Sequence, residues 1–258
     1  MVSVHLLPSM MPPGALRGGV AVVIDVLRAS TTIVHALTHG CAMVIPCAEI
    51  DEARRVAAGL PAGTALLGGE RHGEPIAGFD LGNSPGDYTT DVCRGKTLVM
   101  TTTNGTRALL ASLEAETVLV GAFVNFASTV QRLIHEERPV HLVCAGTEGR
   151  VSYEDALLAG AFASRFADLE HDLGNDEAEI ARGLWERVQE TVWAHERHGG
   201  RPGEEPPLVR YLKRGAGGRR VVELGLGDDV ELAGTLNRTD CQTVVELARD
   251  PLRLVASD

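Results

Sequence analysis

The sequence predicts an α/β fold in three layers, α/β/α, around a mostly parallel or mixed sheet. Short apolar runs suited to strands alternate with amphipathic stretches suited to helices, the order that builds layered α/β domains. Runs such as VAVVI and VHLVC are continuously apolar, so helices should cover both faces of the sheet. Polar, glycine-containing loops follow several of these runs, and parallel sheets bind ligands at the carboxyl ends of their strands.

The organising stretch is VAVVIDVLRASTTIVHAL, residues 20–37. A buried strand over 20–25 delivers Asp25 at its carboxyl end. A turn over 26–29 follows, and Ser30, Thr31 and Thr32 open a helix. The free N–H groups and dipole of a helix start favour an anion. Asp25 would repel that anion unless positive charge lay between them, which a divalent metal and Arg28 would supply. The structural alternative is an ordinary strand-to-helix connection capped by Asp25 or Ser30.

The other elements follow in order. Residues 2–7 read as a first strand, and Pro12, Pro13, Gly14, Gly18 and Gly19 as an irregular link. A strand over 42–47 follows the first helix, with Pro46 marking an edge or an end. A helix over 49–58 and a turn over 60–64 lead to a short strand over 65–67. GGERHGEPIAGFDLGNSPGDY, residues 68–88, is too rich in glycine and turn residues for regular structure. Strands are expected over 96–101, 117–121 and 140–144, and helices over 106–113 and from 125 to about 137. Ser152 and Asp155 have capping-box spacing at the start of a helix through 166. A long helix over 175–195 precedes HERHGGRPGEEPPL, residues 195–208, read as a surface loop or linker. Short helices over 209–214 and 230–235 and a last strand over 243–247 complete a single domain, 1–258, with two lobes dividing near 170.

Composition narrows the function. No apolar run approaches the ~20 residues that span a bilayer, and the start lacks the pattern of a secretory signal. Five scattered cysteines form no metal-type pair, which fits a reduced, cytoplasmic protein. A formal net charge of -11 and only 4% aromatics argue against a nucleic-acid surface. The expected partner is a small anionic, phosphorylated substrate, with no nucleic acid and no membrane; a homodimer is compatible with the sequence.

Three strand-end loops share one design. The first holds Asp25, Arg28, Ser30 and Thr31. The second is TTTNGTR, residues 101–107, where Thr103 and Asn104 can donate, Gly105 permits close approach, and Arg107 offers a planar fork for phosphate or carboxylate. The third is CAGTEG, residues 144–149, with Thr147 as a donor and Glu148 as a ligand of metal or water. The 68–88 segment adds Glu70, His72, Asp80 and Asn83. Long polar loops of this kind are more often functional than structural, and oxygen-rich carboxylate sets suit magnesium. Cys144 reads as a buried structural thiol, because no histidine partner stands beside it.

VVIDVLRASTTI, GGERHGEPIAGFDLGNSP, TTTNGTRAL and VCAGTEG followed by YEDALLAG resemble the 2-phosphosulfolactate phosphatase family. The resemblance is strong from Val20 to Gly160 and weaker through LGLGDDVELAG, residues 224–234. It implies a three-layer α/β/α fold and a magnesium-dependent phosphatase of 2-hydroxy acid phosphates. The family's named substrate, (2R)-2-phospho-3-sulfolactate, is cleaved to (2R)-3-sulfolactate and phosphate in coenzyme M biosynthesis. Its functional segments fall on Asp25, Arg28, Glu70, Asp80, Asn83, Thr103, Asn104, Arg107 and Glu148. Combined with the loops, this puts Mg2+ among Asp25, Glu70 and Asp80. Arg28 and Arg107 would hold anionic groups, with Glu148 as general acid or base and the nucleophile either an Asp carboxylate or water. The alternative is a non-enzymatic protein that binds an anionic metabolite.

Overall fold

In a computed structural model that describes residues 1–200 and 203–257, ten strands form one mixed sheet with helices on both sides. Its first half is parallel: β1 (Val2–His5), β8 (Val140–Cys144), β2 (Val20–Ile24) and β7 (Thr117–Gly121), in that order. The second half is also parallel: β3 (Met43–Pro46), β6 (Thr97–Thr101) and β4 (Ala65–Arg71), edged by the short antiparallel β5 (Glu74–Pro75). Between the halves lies a hairpin, β9 (Val244–Arg249) and β10 (Leu252–Ser257), antiparallel to both neighbours. Strands β7 and β8 match the sequence expectation residue for residue.

The alternation along β2 shows why the sheet is covered on both faces. Val20, Val22 and Ile24 belong to one apolar cluster, with α6 (Tyr153–Asp168) and α7 (Asp176–His198). Ala21 and Val23 belong to another, with α1 (Ala29–Thr38) and α4 (Gly105–Ala111). Helix α2 (Ile50–Gly59) covers Val99 of β6 in a third. Leu98 and Met100 of β6 join the cluster around α1, so the curved sheet wraps that helix from both halves. Formally β6 opposes β2, but each strand step adds about 20–25° of twist. Across the five steps between them, the carboxyl end of β6 is turned toward that of β2.

Several expectations are corrected. Residues 68–71 are strand, because Gly68 and Gly69 pair with Met100 and Thr101 where no side chain fits. At Gly69, φ is +140° and a Cβ would strike the Thr101 carbonyl. Strand β3 is internal; Pro46 ends it. The capping box at Ser152 does not form, since Asp155 turns inward to other N–H groups. The helix expected to about 137 stops earlier, as α5 (Phe126–Leu133). Within 195–208, α7 runs to His198 and α8 (Pro207–Leu212) begins at Pro207; residues 201 and 202 lie outside the described residues. The short α3 (Thr90–Cys93) and α9 (Ala216–Glu223) were not expected, nor was β10. Helix α10 (Gly227–Ala233) starts three residues before the expected one. Among the described residues, no helix is long and apolar enough to cross a membrane.

Candidate active site

The loops after β2, β4, β6 and β8 open into a cleft of about 580 Å³, closed on its far side by α9. Asp25 lies at its floor and is buried. Its backbone N–H donates to Ser30 Oγ at 2.8 Å, and Ala29 N–H donates to its carboxylate at 3.3 Å. Burial, then the neighbouring Glu70 charge, pushes the Asp25 carboxyl up to about 7. Gly105 makes room for it, because a Cβ there would stand 2.7 Å from Asp25 Oδ2 and 2.5 Å from Ala29 Cβ.

Glu70, also buried, is oriented by three donors. Thr103 N–H donates at 2.7 Å, Thr103 Oγ1 at 3.2 Å and Gly73 N–H at 2.7 Å. These tie the ends of β4 and β6 together. Asn83 lines the same cleft, and its buried Oδ1 has no hydrogen-bond partner. Asn104 accepts from Glu148 N–H at 3.1 Å. Thr147 Oγ1 lies 2.7 Å from Ser152 Oγ. At the mouth, Glu148 and His72 pair at 3.3 Å, their side chains 64% and 76% exposed. Thus Asp25, Arg28, Glu70, Asn83, Thr103, Asn104, Thr147 and Glu148 are brought together.

Five expected members are not in the lining, Gly105 among them, since it backs onto Asp25 instead. Ser30 Oγ serves Asp25 N–H and the Val23 carbonyl, and Thr31 Oγ1 donates to the Val26 carbonyl at 2.8 Å. Both hydroxyls are turned into their own turn rather than toward a ligand. Asp80 is exposed and accepts from Leu67 N–H at 2.8 Å, fastening the segment to β4. Arg107 is exposed on α4, because Gly105, Thr106, Ala108 and Leu109 take the buried face of that short helix. Arg28 lines the cleft but is not a free fork. Its Nη1 donates to Asp229 at 2.8 Å and to Ser84 at 3.2 Å, and its Nη2 to the Gly73 carbonyl at 2.9 Å. A guanidinium has five N–H donors, so part of it remains for a ligand.

Sequence reasoning missed two buried carboxylates. Asp155 accepts from Val26 N–H at 2.9 Å and Gly146 N–H at 3.0 Å, clamping the β2 and β8 loops together. Burial, then Asp25 and Glu154, pushes its carboxyl well up, while the two N–H groups oppose this. Its capping-box spacing concealed this role. Asp229, in the weakly matching LGLGDDVELAG stretch, neutralises Arg28. Cys144 is buried, and burial pushes its thiol well up, so it is no thiolate nucleophile.

For a metal, the described residues offer no cluster of three His, Cys, Asp or Glu side chains. Magnesium does not need one, since it keeps several waters and takes one or two carboxylates plus phosphate oxygens. Asp25, Glu70 and the orphaned Asn83 oxygen are hard donors of that kind, and a cation held by them would offset the repulsion that raises the Asp25 carboxyl.

Comparison with known proteins points to one family. The family model described as 2-phosphosulpholactate phosphatase matches residues 5–248. A "Probable 2-phosphosulfolactate phosphatase" from Parasynechococcus marenigrum is 41% identical over 225 residues, covering 86% of each chain. One so named from Thermotoga maritima is 37% identical over 227 residues, 88% of each chain. Another from Clostridium acetobutylicum is 35% identical over 216 residues, 84% of this chain and 85% of its own.

Proposed function

The chain belongs to the 2-phosphosulpholactate phosphatase family, and from that premise we propose that it is a magnesium-dependent phosphatase. Its substrate is the phosphate ester of a 2-hydroxy acid, (2R)-2-phospho-3-sulfolactate, cleaved to (2R)-3-sulfolactate and phosphate. The observation that carries this is the pair Asp25 and Glu70 facing one cleft beside the unpartnered Asn83 oxygen.

In the reaction a water oxygen bonds to phosphorus, the bond from phosphorus to the C2 oxygen breaks, and that oxygen takes up a proton. Asp25, Glu70 and Asn83 Oδ1 would hold magnesium, which supplies charge neutralisation at the phosphoryl oxygens and an acidified water. Thr103 and Gly73 fix the Glu70 carboxylate, and carboxylates oriented this way hold their geometry through a reaction. The free donors of Arg28 receive the phosphoryl oxygens, while Asp229 keeps its guanidinium in place. Asp155 sets the spacing of the two loops. Glu148, paired with His72 at the mouth, exchanges protons with solvent, from which the departing oxygen takes its proton through water in the cleft. Cytoplasmic location and a part in coenzyme M biosynthesis are the corresponding cellular expectations, and five unbridged cysteines favour a reducing compartment.

The test is phosphate release from a panel of 2-hydroxy acid phosphates, with magnesium and then with a chelator. Turnover that stops on chelation is the expected result. Tight binding without phosphate release would make the protein a metabolite-binding module instead.

A further inference from the structure

A substrate carrying phosphate, carboxylate and sulfonate needs several cations, and the protein's net charge is -11, so they must be local. Arg107, the residue expected to supply one, lies outside the cleft, and Arg28 is already balanced by Asp229. Two other arginines line the cleft, Arg150 and Arg220. Both are exposed, and among the described residues neither side chain has a hydrogen-bond or ion-pair partner.

Their settings differ from an ordinary solvated surface. Arg220 sits on the cleft-facing side of α9, whose other contributions are Ala216, Gly217, Val221 and Leu224. These positions recur three or four apart, which places them on one helix face. Arg220 is the one charged side chain that this face gives to the cleft, so an anion there meets a cation on it and no competing carboxylate. Arg150 comes from the loop after β8. It ends a tight turn in which Thr147 and Arg150 exchange backbone hydrogen bonds at 2.8 and 2.9 Å, with Glu148 and Gly149 at positive φ. The turn projects Arg150 beside Val151, again next to apolar surface.

We propose that Arg150 and Arg220 form the subsite for the anionic group farthest from the phosphate, which in the proposed substrate is the sulfonate. This rests on the phosphatase reading. The ester oxygen and the carboxylate share one carbon, so both stay near the cleft floor with Asp25 and Glu70. The sulfonate is one carbon farther out and is the group able to reach the rim. Its three oxygens can accept from more than one guanidinium, and arginine's planar fork suits this better than a lysine ammonium.

The experiment compares two substrates that differ only in the sulfonate, 2-phospho-3-sulfolactate and 2-phospholactate, with magnesium, on wild type, Arg150→Gln and Arg220→Gln. KM for the sulfonated ester should rise about tenfold or more in each variant, the scale of one lost charge-assisted hydrogen bond. kcat on that ester should change little, and so should kcat/KM for 2-phospholactate. Arg220→Lys should recover part of the loss. Equal losses on both esters, or no loss on either, would overturn the subsite while leaving the phosphatase reading intact. Wild type that hydrolyses neither ester would overturn the phosphatase reading. Calorimetry then decides the subsite without turnover, using 3-sulfolactate against lactate. A preference for the sulfonate that both glutamine variants lose supports it, and one they retain removes it.

Discussion

Asp25 holds the most informative charge in the molecule. Burial is the chief reason that its carboxyl is raised from the usual 3.8 to about 7. A carboxyl raised on folding binds its proton more tightly in the folded state, so its stabilising share is complete below the unfolded value and is lost as pH rises through about 7. Asp155 and Glu154 are raised in the same way. Asp25→Asn in chelator should therefore melt slightly above wild type at pH 5 and several degrees further above it at pH 8, and it should have little phosphatase activity. A tenfold difference in proton affinity between the folded and unfolded chain amounts to about 1.4 kcal/mol, so a thermal melt reads this readily; equal melting differences at both pH values would contradict it. Asp155→Asn tests the loop clamp. Its amide would set an NH2 against Val26 N–H or Gly146 N–H, leaving a buried donor unmet at a cost of about 1–3 kcal/mol. Lower denaturant stability together with lower kcat is expected. Arg107→Ala should keep kcat/KM within about twofold, as exposed substitutions usually do. Asp25, Glu70, Asn83 and Thr103 were legible because strand ends and polar loops leave marks in a sequence. Which way a hydroxyl, carboxylate or guanidinium points is not written there, so nothing in it shows that Ser30, Thr31, Asp80 and Arg107 lie outside the cleft lining.

At the scale of elements, the site depends on how closely two helix starts approach. Helices α1 and α4 meet at Ala29 and Gly105, with Asp25 between them. Gly105→Ala would push a methyl against both, so kcat should fall and the melting temperature drop, since overpacking costs about 1–3 kcal/mol. Unchanged kinetics would show that the helices can part without moving Asp25. Strands β2, β6, β7 and β8 were legible as apolar runs bounded by turn residues. Helix α9 was not, because AGGRRVVE carries two glycines in its first turn and mixes charge with only two valines. Its helix is set by packing on α6 and by the cleft rather than by propensity. Strand β10 was hidden too, since LRLVAS acquires strand structure through register with β9.

The whole molecule is joined by its C-terminal hairpin. Val245 pairs with Val120 in the first half of the sheet, and Leu254 pairs with Val44 in the second. Both Val245 and Leu254 are buried in the cluster around α1. Deleting residues 244–257 would expose that cluster and the backbone groups of β7 and β3 together. The truncated chain should show no cooperative melt by circular dichroism; a sharp transition near the wild-type temperature would mean that the halves hold without the hairpin.

The order of synthesis gives this arrangement another meaning. A ribosome makes β7 and β3 long before the strands that fill the space between them, and nascent chains lengthen by about 5–20 residues per second. Until the last segment emerges, two strand edges stay open next to an apolar helix, a condition that invites pairing with other chains. The cleft takes residues from both sides of that gap, Asp25 from one and Glu70 from the other. A ribosome stalled before the hairpin would therefore carry nearly every catalytic side chain and have no activity, and release of the final strands would assemble sheet and active site in one event.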